Sequence, residues 1–262
     1  MFITARTQRV SEKFSVDETF TFFQNSGFQG IEFCLDDYFF RPRPDFLEDF
    51  FIEHTVETSR KTGLPISSVS YHVGFACDDK AFAFIKKAIP KVRKFGTDIM
   101  ILNTADKDQA KIFHYNECYA EFKKRLGVLL DIADAEGVRL ALEPEPPQIL
   151  ISTADFLLLR GEMKRDIWIN FDIGHAFLTD ADIFESIKAL KGKIAHVHVD
   201  NMKRGEHLHR LPDDGDINLP DVFKALKTVG FDGAMALDLY VHEYDKEAPG
   251  CARRLKEMLA EI

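Results

Sequence analysis

The feature that most limits what this chain can fold into is a rhythm. Short apolar runs, most of them closed by a polar residue, alternate with longer amphipathic stretches from one end to the other. The runs are Phe2 to Ala5, Gly30 to Cys34, Ile66 to His72, Asp98 to Asn103, Arg139 to Glu143, Ile167 to Asp172, Ile194 to His198 and Gly233 to Leu237. Their length and apolar content read as strands. Helix signals fill the gaps. Ser15 caps a helix with Asp17 and Glu18 in its first turn, which Gly27 ends. After the Pro-rich loop Arg41 to Pro44 a helix runs to about Thr62 and Gly63 closes it. The next covers about Lys80 to Phe95, where Pro90 should kink or split it. A long helix spans Tyr115 to Glu136, another starts at Ser152 or Thr153, and a short one covers Ile183 to Leu190. Asn218 caps one beginning at Pro220, and the last runs from Pro249 to Glu261. Eight such pairs at roughly thirty-residue spacing, with no linker between them, predict an α/β fold, one (β/α)8 TIM barrel domain over residues 1–262. The competing arrangement, an open doubly wound sheet, usually carries a glycine-rich turn after its first strand, and none is present.

In such barrels, active-site residues sit at the C-terminal ends of the strands. Here strands three to eight end at His72, Asn103, Glu143, Asp172, His198 and Asp238. Buried singly and unpaired, these polar groups would be costly; converging on one mouth, they make a site. Ala141 shares a face with Glu143, and Ala234 and Ala236 share one with Asp238, which leaves room there. The densest stretch is Ile194 to Arg210, in which His196, His198 and Asp200 alternate with Ala195, Val197 and Val199 before Arg204, His207 and His209. One face of that strand is therefore expected to carry chemistry, the bland alternative being a solvated loop beside a core histidine. Three carboxylates and one imidazole suit a hard or borderline divalent ion: manganese first, then magnesium, cobalt or zinc. Such an ion polarises a carbonyl and steadies an enediolate while carboxylates move the proton.

Composition narrows the partners. A net charge of −9 without a long basic run argues against nucleic acid and for a small-molecule substrate. Cys34, Cys77, Cys118 and Cys251 form no CxxC pair, so neither a disulfide framework nor a thiolate zinc site is indicated. No apolar run reaches membrane-spanning length, and the N-terminus lacks a sustained apolar core, so the chain is expected to be cytoplasmic. The many phenylalanines read mostly as core, and the aromatic loop Tyr38 to Phe40 as a wall of the mouth or a contact in a homo-oligomer. Glu32 and Glu145 read as contacts to a substrate hydroxyl or as salt bridges at the mouth.

The runs LALEPEP (Leu140 to Pro146), NFDIGHAF (Asn170 to Phe177), HVHVDNMKRG and the tail LPDDGDINLPDVFKALKTVGFDGAMALDLY resemble the xylose isomerase-like TIM-barrel superfamily of sugar and sugar-phosphate isomerases and epimerases. What the resemblance to its ketose 3-epimerase branch implies is a metal held by Glu143, Asp172, His198 and Asp238, with Glu143 and Asp238 as the proton-transfer pair. It also implies that His175, three residues after Asp172, and Arg204, six after His198, hold substrate oxygens or a phosphate. Two departures stand out. The strand-eight acid is Asp238 where that branch has glutamate, and the loop reads Asp213, Asp214, Gly215 where it has glycine, glutamate, glycine. Gly215 is still expected to turn the backbone. In the apurinic endonuclease branch His72 and His209 match metal-ligand positions, but His207 replaces an aspartate and Asn103 a histidine. His207 and His209 remain candidates for a second metal or for substrate, with His72 and Asn103 as substrate contacts. The expected activity is therefore a metal-dependent isomerase or epimerase of a sugar, polyol or sugar phosphate. A lyase dehydrating a cyclic polyol or ketone, a hydrolase or nuclease, and a non-catalytic relative are the alternatives.

Overall fold

The computed structural model describes residues 1–105, 115–240 and 242–262. Eight parallel strands close into a barrel in chain order: β1 Phe2–Arg6, β2 Ile31–Cys34, β3 Ile66–Tyr71, β4 Ile99–Leu102, β5 Arg139–Leu142, β6 Trp168–Asp172, β7 Ile194–Val199 and β8 Ala234–Leu237. β1 hydrogen-bonds to both β2 and β8, which closes the ring. Around it run α1 Val16–Asn25, α2 Asp49–Thr62, α3 Asp79–Ala88, α4 Tyr115–Glu136, α5 Thr153–Met163, α6 Ile173–Thr179, α7 Ile183–Ala189, α8 Leu219–Thr228 and α9 Tyr244–Ala260.

Local chemistry sets the helix ends. At α1, Ser15 and Glu18 form a reciprocal capping box that satisfies two otherwise orphaned N–H groups. Gly63 ends α2 with φ 71°, a left-handed conformation open to glycine. Asn218 accepts from Asp221 N at the start of α8. Pro90 splits its helix as expected: α3 stops at Ala88 and a 3-10 segment, Ile89–Phe95, carries the chain on. The last helix differs from expectation, because α9 begins at Tyr244 and holds Pro249 in its second turn. A proline marks a helix start only when its N–H would be free anyway, and here the helix begins five residues before it. α6 was not expected at all. It is a two-turn helix that Asp172 initiates by accepting from His175 N, and it carries the residues after Asp172 inward.

The outward faces of the strands pack on the helices in one continuous apolar layer that includes Val69, Leu102, Leu140, Phe171, Val197 and Met235. A small second cluster of Ile99, Ile101, Ala141 and Ala195 floors the barrel. Ala195 had been expected on the outward face with Val197. The β6–β7 register jumps from Ile169↔Ile194 to Asn170↔His196, so Ala195 is an extra residue in a bulge and turns in. Among the described residues, no helix is long and apolar enough to cross a membrane.

Candidate metal centre

Above the floor the barrel interior changes from apolar to ionic. Register places the groups: Asp172 pairs with His198 and His198 with Ala236, so Asp238 lies one inward step beyond on the neighbouring strand. Ligand atoms of Glu143, Asp172, His198 and Asp238 all lie within 4.8 Å of one another, and all four residues are buried. His198 Nδ1 is 3.2 Å from Glu143 Oε1, 3.7 Å from Asp238 Oδ2 and 3.8 Å from Asp172 Oδ2. Its other nitrogen, Nε2, lies 2.8 Å from Glu32 Oε2. A carboxylate behind the ring fixes ring orientation and makes the front nitrogen more basic, which is how metal-ligating histidines are held.

The electrostatics describe a site short of positive charge. Burial and the charge of Asp200 push the Asp172 carboxyl well above the usual carboxylate range. Burial works against ionising Glu143, but His198 overrides it and holds that acid far down. Asp238 is likewise lowered against its burial, by Arg6 first. Asp172 Oδ2 and both ring nitrogens of His175 have no hydrogen-bond partner. Buried acceptors left open are rare and costly unless something fills them. A divalent cation fits the set, since it would satisfy Asp172 Oδ2 and offset the crowded carboxylates.

Two further groups adjoin. Asp172, Asp200 and His209 offer ligand atoms within 4.8 Å of each other, and so do His175, His207 and His209. His209 Nδ1 is 3.0 Å from Asp200 Oδ2, and that carboxylate helps to raise the imidazole to about 10 against the effect of burial. His175 is the opposite case, held neutral by burial and by His209. Gly174 N donates to Asp200 Oδ1 at 3.1 Å, and a Cβ on Gly174 would stand 2.5 Å from that oxygen, so the turn into α6 closes only without a side chain. Gly215 is needed for the same kind of reason and not for φ: a Cβ there would run into Asn201 Oδ1.

These groups open on a cavity of about 570 Å³ lined by His72, Asn103, Glu143, His175, His209 and Tyr240, among others. Glu145 is in its wall, its Oε2 accepting from Asn103 Nδ2 at 2.9 Å and Gln148 Nε2 at 2.6 Å. Phe40 and Tyr240 stack at the rim with rings 3° from parallel. Arg204 lies elsewhere. It is exposed, sits 3.9 Å over the Phe177 ring and donates to Phe177 O at 2.6 Å, and it does not line the cavity. The position expected of it rests on loop spacing, and the loop turns it outward. A larger hollow of about 650 Å³ at the opposite end of the barrel, beside Phe2, Ile66 and Asp98, gathers no cluster of ligand atoms among the described residues.

Arg6 is the residue that sequence reasoning missed. It ends β1, is 1% exposed, and forms ion pairs with Asp238 through Nη1 and with Glu32 through Nε at 3.1 Å. Its Nη2 meets His72 Nε2. The one available signal was its place two residues after Thr4, on the inward face of a strand expected to stop at Ala5.

The model for the xylose isomerase-like TIM barrel family matches residues 20–262. The chain belongs to that family. A xylose isomerase-like barrel with this mouth can be set beside named relatives. A 2-oxo-tetronate isomerase of Cupriavidus necator is 24% identical over 135 residues, covering 49% of this chain and 48% of the relative. The chain thus spans less than half the length of the first curated relatives it matches, 41% and 48%. Among solved structures, an E. coli 3-keto-D-glucoside 4-epimerase superposes with TM-score 0.78 at 17% identity, covering 99% of this chain and 98% of that one. IOLI protein with a bound zinc atom superposes at 0.79 and 20% identity over 100% and 97%. Such structural likenesses show the shared fold.

Proposed function

We propose that this chain is a divalent-metal-dependent isomerase or epimerase of a sugar, polyol or sugar phosphate. The observation that carries the proposal is the convergence of Glu143, Asp172, His198 and Asp238, with Glu32 behind His198, at the floor of a sugar-sized cavity. We take those four to hold one ion, manganese by preference with magnesium, cobalt or zinc as alternatives. When bound, the ion supplies a Lewis acid that draws charge from a substrate carbonyl. Glu143 and Asp238, both held ionised, are the groups placed to take and return the proton. Asn103 and neutral His175 orient substrate hydroxyls from the cavity wall, which His72 also lines with its two ring nitrogens engaged by Asp36 and Arg6, and His207 and His209 stand beside them, the latter near Asp238. Arg204 is left out of this set. The names of the relatives, an isomerase of a sugar acid and an epimerase of a keto-sugar, support the same class. We extend the reading to one barrel domain, cytoplasmic, acting on carbohydrate and not nucleic acid, with the exposed Tyr38, Phe39 and Phe40 as the place for a homo-oligomer contact.

A dehydratase is the second reading, on a specific ground: burial and Glu143 raise the Glu145 carboxyl to about 7, suiting it to protonate a departing hydroxyl. One experiment separates the two. Purified protein loaded with Mn²⁺ and incubated with candidate ketoses and sugar acids in deuterated water should return sugar carrying deuterium. A new absorbing product without deuterated sugar supports the dehydratase, and protein that takes up no divalent ion refutes both.

A further inference from the structure

One buried charge near the mouth has no partner. After β1 the chain makes a single 3-10 turn, Thr7–Val10, whose four residues are all buried. Three residues per turn set Arg9 over Arg6. Both meet Tyr240, with Arg6 Cζ 5.9 Å and Arg9 Cζ 4.1 Å from its ring centroid. There the likeness ends. Arg6 is held by Glu32 and Asp238. Arg9 is 7% exposed, has neither an ion pair nor a side-chain hydrogen bond among the described residues, and encloses its Nε with no acceptor. A buried charge left unpaired is costly unless something else answers it.

What holds this guanidinium is aromatic. Its Cζ lies over the Tyr38 ring at 4.5 Å and over the Tyr240 ring at 4.1 Å. Tyr240 is fixed through its hydroxyl, which donates to Gln8 Oε1 at 3.3 Å, and through its ring, on which Phe40 stacks. Tyr38 and Phe40 come from one tight loop. Asp37 Oδ1 accepts there from Phe39 N at 2.9 Å and Arg41 N at 3.0 Å, and Phe40 takes φ 57°, a conformation its side chain rarely allows. Rings take the faces of a guanidinium and leave its N–H groups, which lie in the plane, unsatisfied. The edge that carries Nη1 and Nη2 is therefore open, and a planar fork of N–H donors matches the oxygens of a phosphate or carboxylate.

We infer that Arg9 is an oxyanion site at the rim of the mouth, taking a phosphate or carboxylate edge-on between Tyr38 and Tyr240. The site uses none of the four proposed metal ligands, so it stands or falls apart from the metal centre. Its occupant has two sources, the end group of a molecule seated in the cavity that Tyr240 lines and a free anion.

The probes are inorganic phosphate and fructose 6-phosphate, each titrated by calorimetry into the full chain after chelator treatment, so that no metal ion contributes. Wild type is expected to bind both, and Arg9→Gln to bind both at least about tenfold more weakly. Fructose 6-phosphate bound more tightly than phosphate assigns the site to the end group of a cavity ligand, and phosphate bound as tightly or more so assigns it to the free anion. Wild type that binds neither, or Arg9→Gln that binds them as wild type does, overturns the inference. Should Arg9→Gln fail to fold, wild-type crystals soaked in tungstate answer the question by anomalous scattering. Tungstate on the Arg9 Nη groups supports the inference. Tungstate bound only elsewhere or not at all, or a carboxylate of a second copy seated on Arg9, overturns it.

Discussion

Glu145→Gln should make the metal-free protein more stable at alkaline pH and leave it nearly unchanged in acid. The wild-type carboxyl stands in the cavity wall, and burial together with the charge of Glu143 lifts it to about 7. In the unfolded chain it titrates near 4.3, an approximate reference value. Folded above unfolded, for an acid, means that the unfolded state loses the proton first. Stability therefore falls as pH rises from about 4.3 to about 7 and is flat beyond. At about 1.4 kcal/mol per unit the full loss is about 3.8 kcal/mol, and water in the open cavity reduces it to about 2 kcal/mol. In the variant the new amide oxygen can still accept from Asn103 and Gln148. For a chain of this size about 2 kcal/mol is about 5 °C in Tm. Scanning calorimetry in the presence of chelator, at pH 8 and again at pH 4.5, measures it. A variant equal to or less stable than wild type at pH 8, or shifted equally at both, would refute the reasoning.

Removing the carboxylate behind His198 should loosen the metal without touching one of the four proposed ligands: Glu32→Gln is expected to weaken Mn²⁺ binding by about tenfold or more, read by titrating Mn²⁺ into chelator-treated protein with free Mn²⁺ followed by electron paramagnetic resonance, and unchanged affinity would count against the role given to Glu32. Arg204→Ala should leave Mn²⁺ affinity unchanged, because that side chain lies on Phe177 outside the cavity; loss of metal would contradict that placement. Pro249→Ala restores an N–H that can reach the carbonyl of Asp245 inside α9 and should raise stability by about 1 kcal/mol, checked by denaturant unfolding, with a fall in midpoint as the contrary result. Ser15→Ala, which breaks the reciprocal cap of α1, should cost about 1 kcal/mol by the same assay.

Much of this architecture was legible because its signals are local. Tyr115 to Glu136 announces itself by length and ends at Gly137; Ser15 and Asn218 carry their caps beside them; Pro90 breaks what it stands in. The polar residues from His72 round to Asp238 were visible for a different reason, since each closes an apolar run and a closed barrel aims all such positions at one end. What stayed hidden depends on neighbours remote in sequence. Arg6 at the end of a weak first strand looks like a solvated charge until closure brings Asp238, 232 positions later, against it. Glu32 acquires its partner, His198, in the same way. The bulge at Ala195 is a mismatch between two strands and leaves no mark in either alone. Arg204 is the converse case, a spacing after His198 that fits while the side chain lies over Phe177 outside the cavity.

Gly174 has a consequence for how this barrel can change over time. Any side chain there would lie 2.5 Å from both Asp200 Oδ1 and Met202 Cε, two residues from Asp172 and next to His175. A lineage that lost the glycine would have to move the Asp200 carboxylate, and with it His209, before it could refold the mouth. Single substitutions therefore meet a dead end at this turn, whereas the cavity walls around Asn103 and Tyr240 stand away from it. New substrates on this scaffold would be reached from the walls, with the turn beneath them left as it is.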